Sequence, residues 1–327
     1  MMIRNKISLF SICVSVVFGL ITTTGIVLGQ SYPTKPVRLV VGWPPGGAAD
    51  LVARPLALKL GEVLGKTVAI DNRPGATGTI GSNLVAKSAP DGYTILLASS
   101  NEIVMSPYEE MPYDPVKDFS PILQVVAFPS ILVVHPSLPV KSVTQMVAFM
   151  KQRPGKLNFA TAGAGATHLI GEWFKERTGV AFSFVSYKGG GPAIVDLIGG
   201  HVDAMFATLP SAVIFATNHK LKGLMVTDQK RSPAAPEVPS ATEVGLADMQ
   251  ALTWNGMLAP KGTSSDILDR LQREASLIMN VQEMKERMLV NAVEVRTSTR
   301  EEFVRTISSD LALWAKLLKT NGGNRMK

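Results

Sequence analysis

Val37-Arg-Leu-Val-Val-Gly-Trp-Pro-Pro-Gly-Gly-Ala-Ala-Asp50 is the stretch on which the reading of the fold turns. It opens with a short apolar run rich in β-branched residues, the pattern of a buried strand. Pro44, Pro45, Gly46 and Gly47 end that run. Beyond them Leu51, Val52, Leu56, Leu60, Val63 and Leu64 recur at helical spacing, which predicts a helix over 48–64. Pro55 lacks an N–H to donate, so a kink or a late start is expected there. Residues 67–70 and 93–98 read as strands, 72–78 as a loop and 80–88 as a helix. The order β, α, β, α, β predicts a parallel sheet with helices on its faces.

The alternation then restarts. Strands are predicted over 131–134, 157–160, 182–186, 204–207 and 221–227, and helices over 143–151, 167–177 and 193–198. Loops fall at 161–166 and 188–192. Residues 233–239 hold three prolines and form a connector. The apolar run 253–259 crosses back, and 265–280 and 299–318 are closing amphipathic helices. The fold class is therefore α/β, with domain 1 over 32–129, domain 2 over 130–253 and a return to domain 1 over 254–327. Ligands of such sheets sit beyond the carboxyl ends of the strands, which puts glycine loops from both domains across a shared cleft.

The N-terminus does not belong to this fold. Arg4 and Lys6 precede an uncharged stretch over 7–28, and Val27 and Gly29 suit a cut after Gly29. Residues 1–29 read as a secretory signal peptide, and the alternative is a retained anchor, since the run is long enough to span a membrane. Cys13, the lone cysteine, lies inside this segment, too close to the start for a lipoprotein signal. A mature chain without cysteine excludes a disulfide framework and a cysteine-based zinc site. Removing Arg4 and Lys6 lowers the formal charge from +7 to +5. The remaining basic residues are scattered, so nucleic acid is not an expected partner.

Three glycine turns carry the candidate chemistry. The first, Trp43, Pro45, Gly46, Gly47, Ala48, Ala49 and Asp50, leads into a helix whose N–H groups and dipole suit an anion. It lacks the Gly-Lys-Ser/Thr ending of a P-loop, and a plain strand-to-helix turn is the alternative. The second is Thr161, Ala162, Gly163, Ala164, Gly165, Ala166 and Thr167. It begins a G-x-G-x-x-G pattern, but His168 stands at the third glycine and no acid follows near 187, so a small anion suits it better than a dinucleotide. The third is Tyr187, Lys188 and Gly189 before a further helix. Asp50 also suits the helix dipole or an ion pair with Arg54 four residues on, and His168 suits local packing. No nucleophile elbow or metal-spaced histidine pair is present, so no cofactor or metal is expected.

At family level the chain resembles the Bug (TctC-like) receptors of tripartite tricarboxylate transporters. The resemblance rests on Gly42-Trp-Pro-Pro-Gly-Gly-Ala-Ala-Asp50 with Arg54, Asn72-Arg-Pro-Gly-Ala-Thr-Gly-Thr-Ile-Gly81 and Pro90-Asp-Gly-Tyr-Thr-Ile-Leu97. It continues through Pro112-Tyr-Asp-Pro115, Pro154-Gly-Lys-Leu-Asn158, Tyr187-Lys-Gly189, Gly199-Gly-His-Val-Asp203, Trp254-Asn-Gly256 and Ala259-Pro-Lys-Gly-Thr263. It implies a two-domain periplasmic-binding-protein ("Venus flytrap") architecture, with a carboxylate held in the cleft by backbone N–H groups of the first and second glycine loops. It further implies a monomeric periplasmic receptor that hands its ligand to membrane subunits of the transporter. Ser99, Ser100 and Asn101 correspond to small or polar cleft positions, and Asp203 and Thr208 complete the expected set.

The departures are Trp43, a larger aromatic than usual, Ala164 and Ala166 at positions that are frequently polar, and Glu102 where a neutral residue is common. They imply a less polar acid than citrate. Two alternatives remain at this level. One is a receptor feeding a sensor kinase; the other is a secreted enzyme using Asp50, His168 or Asp203 as acid or base.

Overall fold

The computed structural model describes residues 32–104, 111–161, 165–187 and 189–320. The predicted signal peptide, with Cys13, lies outside these residues. So do Ala162, Gly163, Ala164 and Lys188 of the candidate loops. The chain divides into two compact units, Met1–Thr34 and Lys35–Lys327, and every element among the described residues lies in the second.

Strand β1 (Val37–Val41) is almost wholly buried and runs through Gly42 and Trp43 into helix α1 (Ala48–Leu64). On α1, Val52, Leu56, Leu60 and Leu64 form the buried stripe, while Leu51 and Val63 are exposed. Gly65, at φ 68°, ends the helix in the left-handed conformation that glycine adopts at least cost. The kink or late start expected at Pro55 does not occur: α1 begins at Ala48 and runs unbroken across it. The carbonyl that loses its partner belongs to Leu51, an exposed residue at which water can replace the missing N–H.

Then follow β2 (Val68–Asn72), a 3₁₀ turn (Ala76–Gly78), α2 (Thr79–Ala86), β3 (Thr94–Ser99), α3 (Ser100–Val104) and β4 (Phe119–Val134). After these come α4 (Val143–Gln152), β5 (Asn158–Thr161), α5 (Ala166–Thr178), β6 (Ser183–Ser186), α6 (Gly190–Ile198), β7 (Ala204–Thr208), α7 (Leu209–Thr217) and β8 (Lys222–Val226). The chain closes with β9 (Leu252–Pro260), α8 (Ser265–Asn280), α9 (Gln282–Leu289), β10 (Glu294–Val295) and α10 (Arg300–Thr320).

Strands β1, β2 and β3 pair in parallel, as do β5, β6 and β7. The sheet is nevertheless mixed, which corrects the all-parallel expectation. Strand β9 lies between β3 and β4 and is antiparallel to both. The predicted strand 131–134 is only the end of the 16-residue β4. Pro121, Pro129 and two register shifts hide its first part from any period-2 reading. Up to Pro129, β4 pairs with β9; from Ser130 onward it pairs with β7 and β8. The loop predicted over 188–192 is shorter, because Gly190, Gly191 and Pro192 already form the first turn of α6. Proline is tolerated there since first-turn N–H groups have no helical partner.

Along the second half of β4, Leu132 and Val134 pack with Phe159, Phe174 and Phe206, while Ile131 and Val133 pack with Leu197 and Met205. Both faces are covered, which is why these strands read as continuous apolar runs. Under the first half, Val40, Leu96, Phe119, Trp254, Leu258 and Phe303 form another core. The Trp254 and Phe303 rings meet edge to face at 5.0 Å. Gly256 admits Phe303, since a Cβ there would lie 2.2 Å from its ring. Among the described residues no helix is long and apolar enough to cross a membrane.

Candidate functional site

A cavity of about 150 Å³ opens where the strand ends meet. Its wall is Trp43, Pro44, Gly47, Ala48 and Ala49 from the first glycine turn, Ser99 and Asn101 from the end of β3 and the start of α3, Phe128 from β4, Thr208 from the end of β7, and Thr253 and Asn255 from β9. The structure therefore brings together seven of the candidates: Trp43, Gly47, Ala48, Ala49, Ser99, Asn101 and Thr208.

The helix end in this wall is open. Gly47 caps α1 with an extended backbone (φ −76°, ψ 171°) and offers no side-chain hydrogen bond. First-turn N–H groups have no partner within a helix, so those of Ala48 and Ala49 are left as donors beside the positive pole of a 17-residue helix. The turn is held from outside the wall. Asp50 Oδ2 accepts from the Gly46 N–H at 2.8 Å and from Arg54 Nε at 2.6 Å, and Asp50 Oδ1 accepts from Asn72 Nδ2 at 3.2 Å. Burial opposes ionisation of Asp50, but the Gly46 N–H, the Arg54 guanidinium and the Asn72 amide outweigh it and hold the carboxyl below its ordinary range. Asp50 thus shapes the turn and takes no place in the wall.

On β9 alternate side chains point to opposite faces. Thr253 and Asn255 reach the cavity, while Trp254 turns to the core and donates its indole N–H to Asp310 at 2.7 Å. Asn255 Nδ2 points to the Ala98 carbonyl at 3.4 Å, which leaves its Oδ1 buried without a partner. Asn101 Oδ1 is likewise buried and unpaired. Each amide can present its oxygen to a donor or, turned over, its NH2 group to an acceptor on whatever occupies the cavity.

The remaining candidates stand elsewhere. Thr161, Gly165, Ala166, Thr167, Tyr187 and Gly189 sit at the carboxyl ends of β5 and β6, on the same sheet edge as Thr208 but not in the wall. The Tyr187 hydroxyl donates to Asp196 at 2.8 Å. Pro45, Gly46 and Ser100 flank the wall residues in sequence without joining them. Asp203 needs correction: it precedes β7, at the opposite end from Thr208, and its carboxylate accepts from the Asn158 N–H at 2.7 Å. A five-residue strand separates the two by roughly 16 Å. His168 stacks on Phe184 at 4.0 Å, and burial, opposed by Glu172, lowers its pKa. Among the described residues no group of three or more metal-binding side chains is placed to hold an ion.

Sequence reasoning missed Phe128, Thr253 and Asn255 as wall residues. A signal existed for two of them, since strict alternation around Trp254 sets Thr253 and Asn255 on one face. It also missed what Glu102 does. This fully buried carboxylate accepts from Trp43 Nε1 at 2.5 Å, Ser82 Oγ at 2.7 Å and the Ser99 N–H at 3.1 Å. Burial pushes its pKa up to about 7 against those three bonds. Burial likewise raises Asp310 to about 6, opposed by Trp254.

These two acids set a pH dependence. Each binds its proton more tightly in the folded chain, so stability is complete below its unfolded pKa and is lost as pH rises through the folded value. Asp50 and Glu243, with lowered pKa values, act oppositely and lose stability only in stronger acid. Thermal unfolding should therefore give a higher midpoint near about pH 5 than near about pH 8. Glu102→Gln should flatten the upper part of that slope. A midpoint rising steadily from pH 5 to 8 would contradict the assignment.

Comparisons with known proteins agree with this architecture. The family described as "Tripartite tricarboxylate transporter family receptor" matches residues 52–322. The chain is 35% identical over 309 residues to protein BugT of Bordetella pertussis, covering 92% of this chain and 95% of that one. Among solved structures, one described as a periplasmic transporter superposes with a TM-score of 0.80 at 30% identity, covering 90% of this chain and 100% of that one. Rpa4515 of R. palustris, solved with adipate, gives 0.79 at 32% identity, covering 89% and 98%. The two-domain periplasmic-binding-protein fold expected from the sequence is the one these neighbours share.

Proposed function

The chain belongs to the tripartite tricarboxylate transporter family of receptors, and on that premise we propose that it captures a small organic carboxylate in this cavity and delivers it to the membrane subunits of a secondary transporter. The observation that carries the reading is the uncapped N-terminus of α1 in the wall, with Ala48 and Ala49 facing the space bounded by Ser99, Asn101 and Thr208. Bonds from N–H groups to an anion are short and strong, and a helix end supplies them without a cationic side chain. One carboxylate sits there. The aliphatic chain lies along Trp43 and Phe128, and the far polar group reaches Asn101 and Asn255. Adipate bound to Rpa4515 has this pattern of two polar ends and an apolar middle. The second glycine turn at Gly165 and the third at Tyr187 and Gly189 approach the same ligand when the domains close.

Domain closure needs a hinge. The division lies where β4 changes partner between Pro129 and Ser130. The Thr227 hydroxyl spans this crossing, accepting from the Ser130 N–H at 2.9 Å and donating to the Ala251 carbonyl at 2.7 Å. A rotation there brings Thr208 and the second glycine loop toward α1, and the ligand selects the closed form by contacting both sides. The protein acts in the periplasm after removal of residues 1–29. It acts as a receptor and not an enzyme, a reading supported by the placement of Asp50, His168 and Asp203, the three groups with a candidate acid or base role in the sequence, outside the wall. Native mass spectrometry of protein purified from the periplasm tests this. The expected result is one small acid per chain, released unchanged on unfolding. A retained reaction product, or a chain that neither retains nor binds any of a series of carboxylates, would overturn it.

A further inference from the structure

The Trp43 side chain has one polar atom, Nε1, and Glu102 accepts from it at 2.5 Å. The carboxylate is 59 residues away in sequence and fully buried, and no cation pairs with it among the described residues. An unpaired buried carboxylate is costly, and an apolar side chain would fill the space more cheaply. The surroundings are nevertheless built to fit it. Gly78 lies against it so closely that a Cβ there would come within 2.3 Å of Glu102 Cγ, and a Cβ on Gly42 would come within 3.1 Å of Glu102 Oε1. Ser82 and the Ser99 N–H fix the carboxylate, and the Tyr113 hydroxyl donates to the Glu102 carbonyl at 2.8 Å, anchoring the short helix that bears it. On the other side Asn72 Nδ2 donates to the Trp43 carbonyl at 2.9 Å. The indole is therefore held at both its backbone and its ring nitrogen.

We propose that Glu102 is a positioning residue that fixes the Trp43 indole as an apolar wall of the cavity, and that this pair selects acids with an unsubstituted methylene chain over short hydroxylated ones. With Nε1 engaged, Trp43 offers a ligand only its ring, which suits methylenes and gives nothing to a hydroxyl at that point. The selectivity half rests on the carboxylate reading above; the positioning half does not.

The test pairs a ligand-free measurement with a binding one. In ¹⁵N-labelled protein the four tryptophans give four indole N–H resonances, and Trp43→Phe identifies the one from Trp43. Glu102→Ala should move that resonance out of its hydrogen-bonded position, and Glu102→Gln, which keeps an acceptor, should not. Titrations with adipate and malate should show the adipate preference falling about tenfold, or ~1.4 kcal/mol, in Glu102→Ala. The preference should recover in Glu102→Gln, and Glu102→Ala should have no further effect in a Trp43→Phe background. Should the alanine variant fail to fold, Glu102→Met fills the cradle without a strong acceptor and makes the same comparison. An unmoved Trp43 resonance would overturn the positioning role. A selectivity change that persists without Trp43 would overturn the pairing. If the wild type binds neither acid, the carboxylate reading fails and selectivity falls with it, while the indole resonance still decides positioning.

Discussion

Ala48→Pro is expected to weaken carboxylate binding about ten- to hundredfold while leaving the protein at least as stable as before. Ala48 is the first residue of α1, a position where proline's fixed φ suits the helix and its missing N–H breaks no helical bond. Gly47 already holds the extended conformation that a following proline imposes. The substitution replaces the donor aimed at the ligand with a ring methylene while the helical backbone stays as it is. A charge-assisted bond of this kind contributes roughly 1.5–3 kcal/mol, which sets the size of the effect. Ala48→Gly, which keeps the N–H, should bind close to the wild type. Melting curves and titrations of the two variants check both halves. Wild-type affinity in Ala48→Pro would remove the helix end from the site.

Gly78→Ala should cost about 3 kcal/mol of stability. Gly78 sits at φ 91°, outside the range an L-residue adopts freely, and that part costs about 1–2 kcal/mol. The added Cβ would also lie 2.3 Å from Glu102 Cγ and 2.6 Å from Cδ, inside any allowed contact, and overpacking of this kind adds about 1–3 kcal/mol. Urea unfolding should show a lower midpoint at unchanged slope. In a Glu102→Ala background the steric part disappears, so Gly78→Ala should there cost only the backbone part. Equal costs in the two backgrounds would mean that Gly78 and Glu102 do not pack as described.

How much of this the sequence discloses depends on how local the determining physics is. Helices α1 and α8 are predicted with the bounds the structure has, because apolar stripes and flanking signals lie within each segment. Helix α7 is not predicted: Leu209-Pro-Ser-Ala-Val-Ile-Phe-Ala-Thr217 is apolar on most sides and has no polar face to reveal a helical period. The start of β4 is hidden by prolines and register shifts, and α9 by the weak apolar content of a short, charged segment. In the site, Trp43, Gly47, Ala48 and Ala49 are legible because they follow the carboxyl end of a strand, whereas Ser99, Asn101 and Thr208 are expected through the family resemblance alone. Phe128, Thr253 and Asn255 come from antiparallel strands, to which that rule does not apply. Asp203 is misassigned because its neighbours match the family while the strand they begin points its other end at the cavity. Trp43 and Glu102 both stand out as departures in sequence, yet their contact bridges 59 residues and only the fold supplies it.

The central claim is that the open end of α1 recognises a negatively charged carboxylate. The most direct measurement is a calorimetric titration of the purified protein with adipate and with adipamide, its uncharged diamide, under identical conditions. The account predicts saturable binding of one adipate per chain and at least about tenfold weaker binding of adipamide, because the diamide offers the N–H donors no charge. Equal affinity for the two, or binding of adipamide alone, would contradict it.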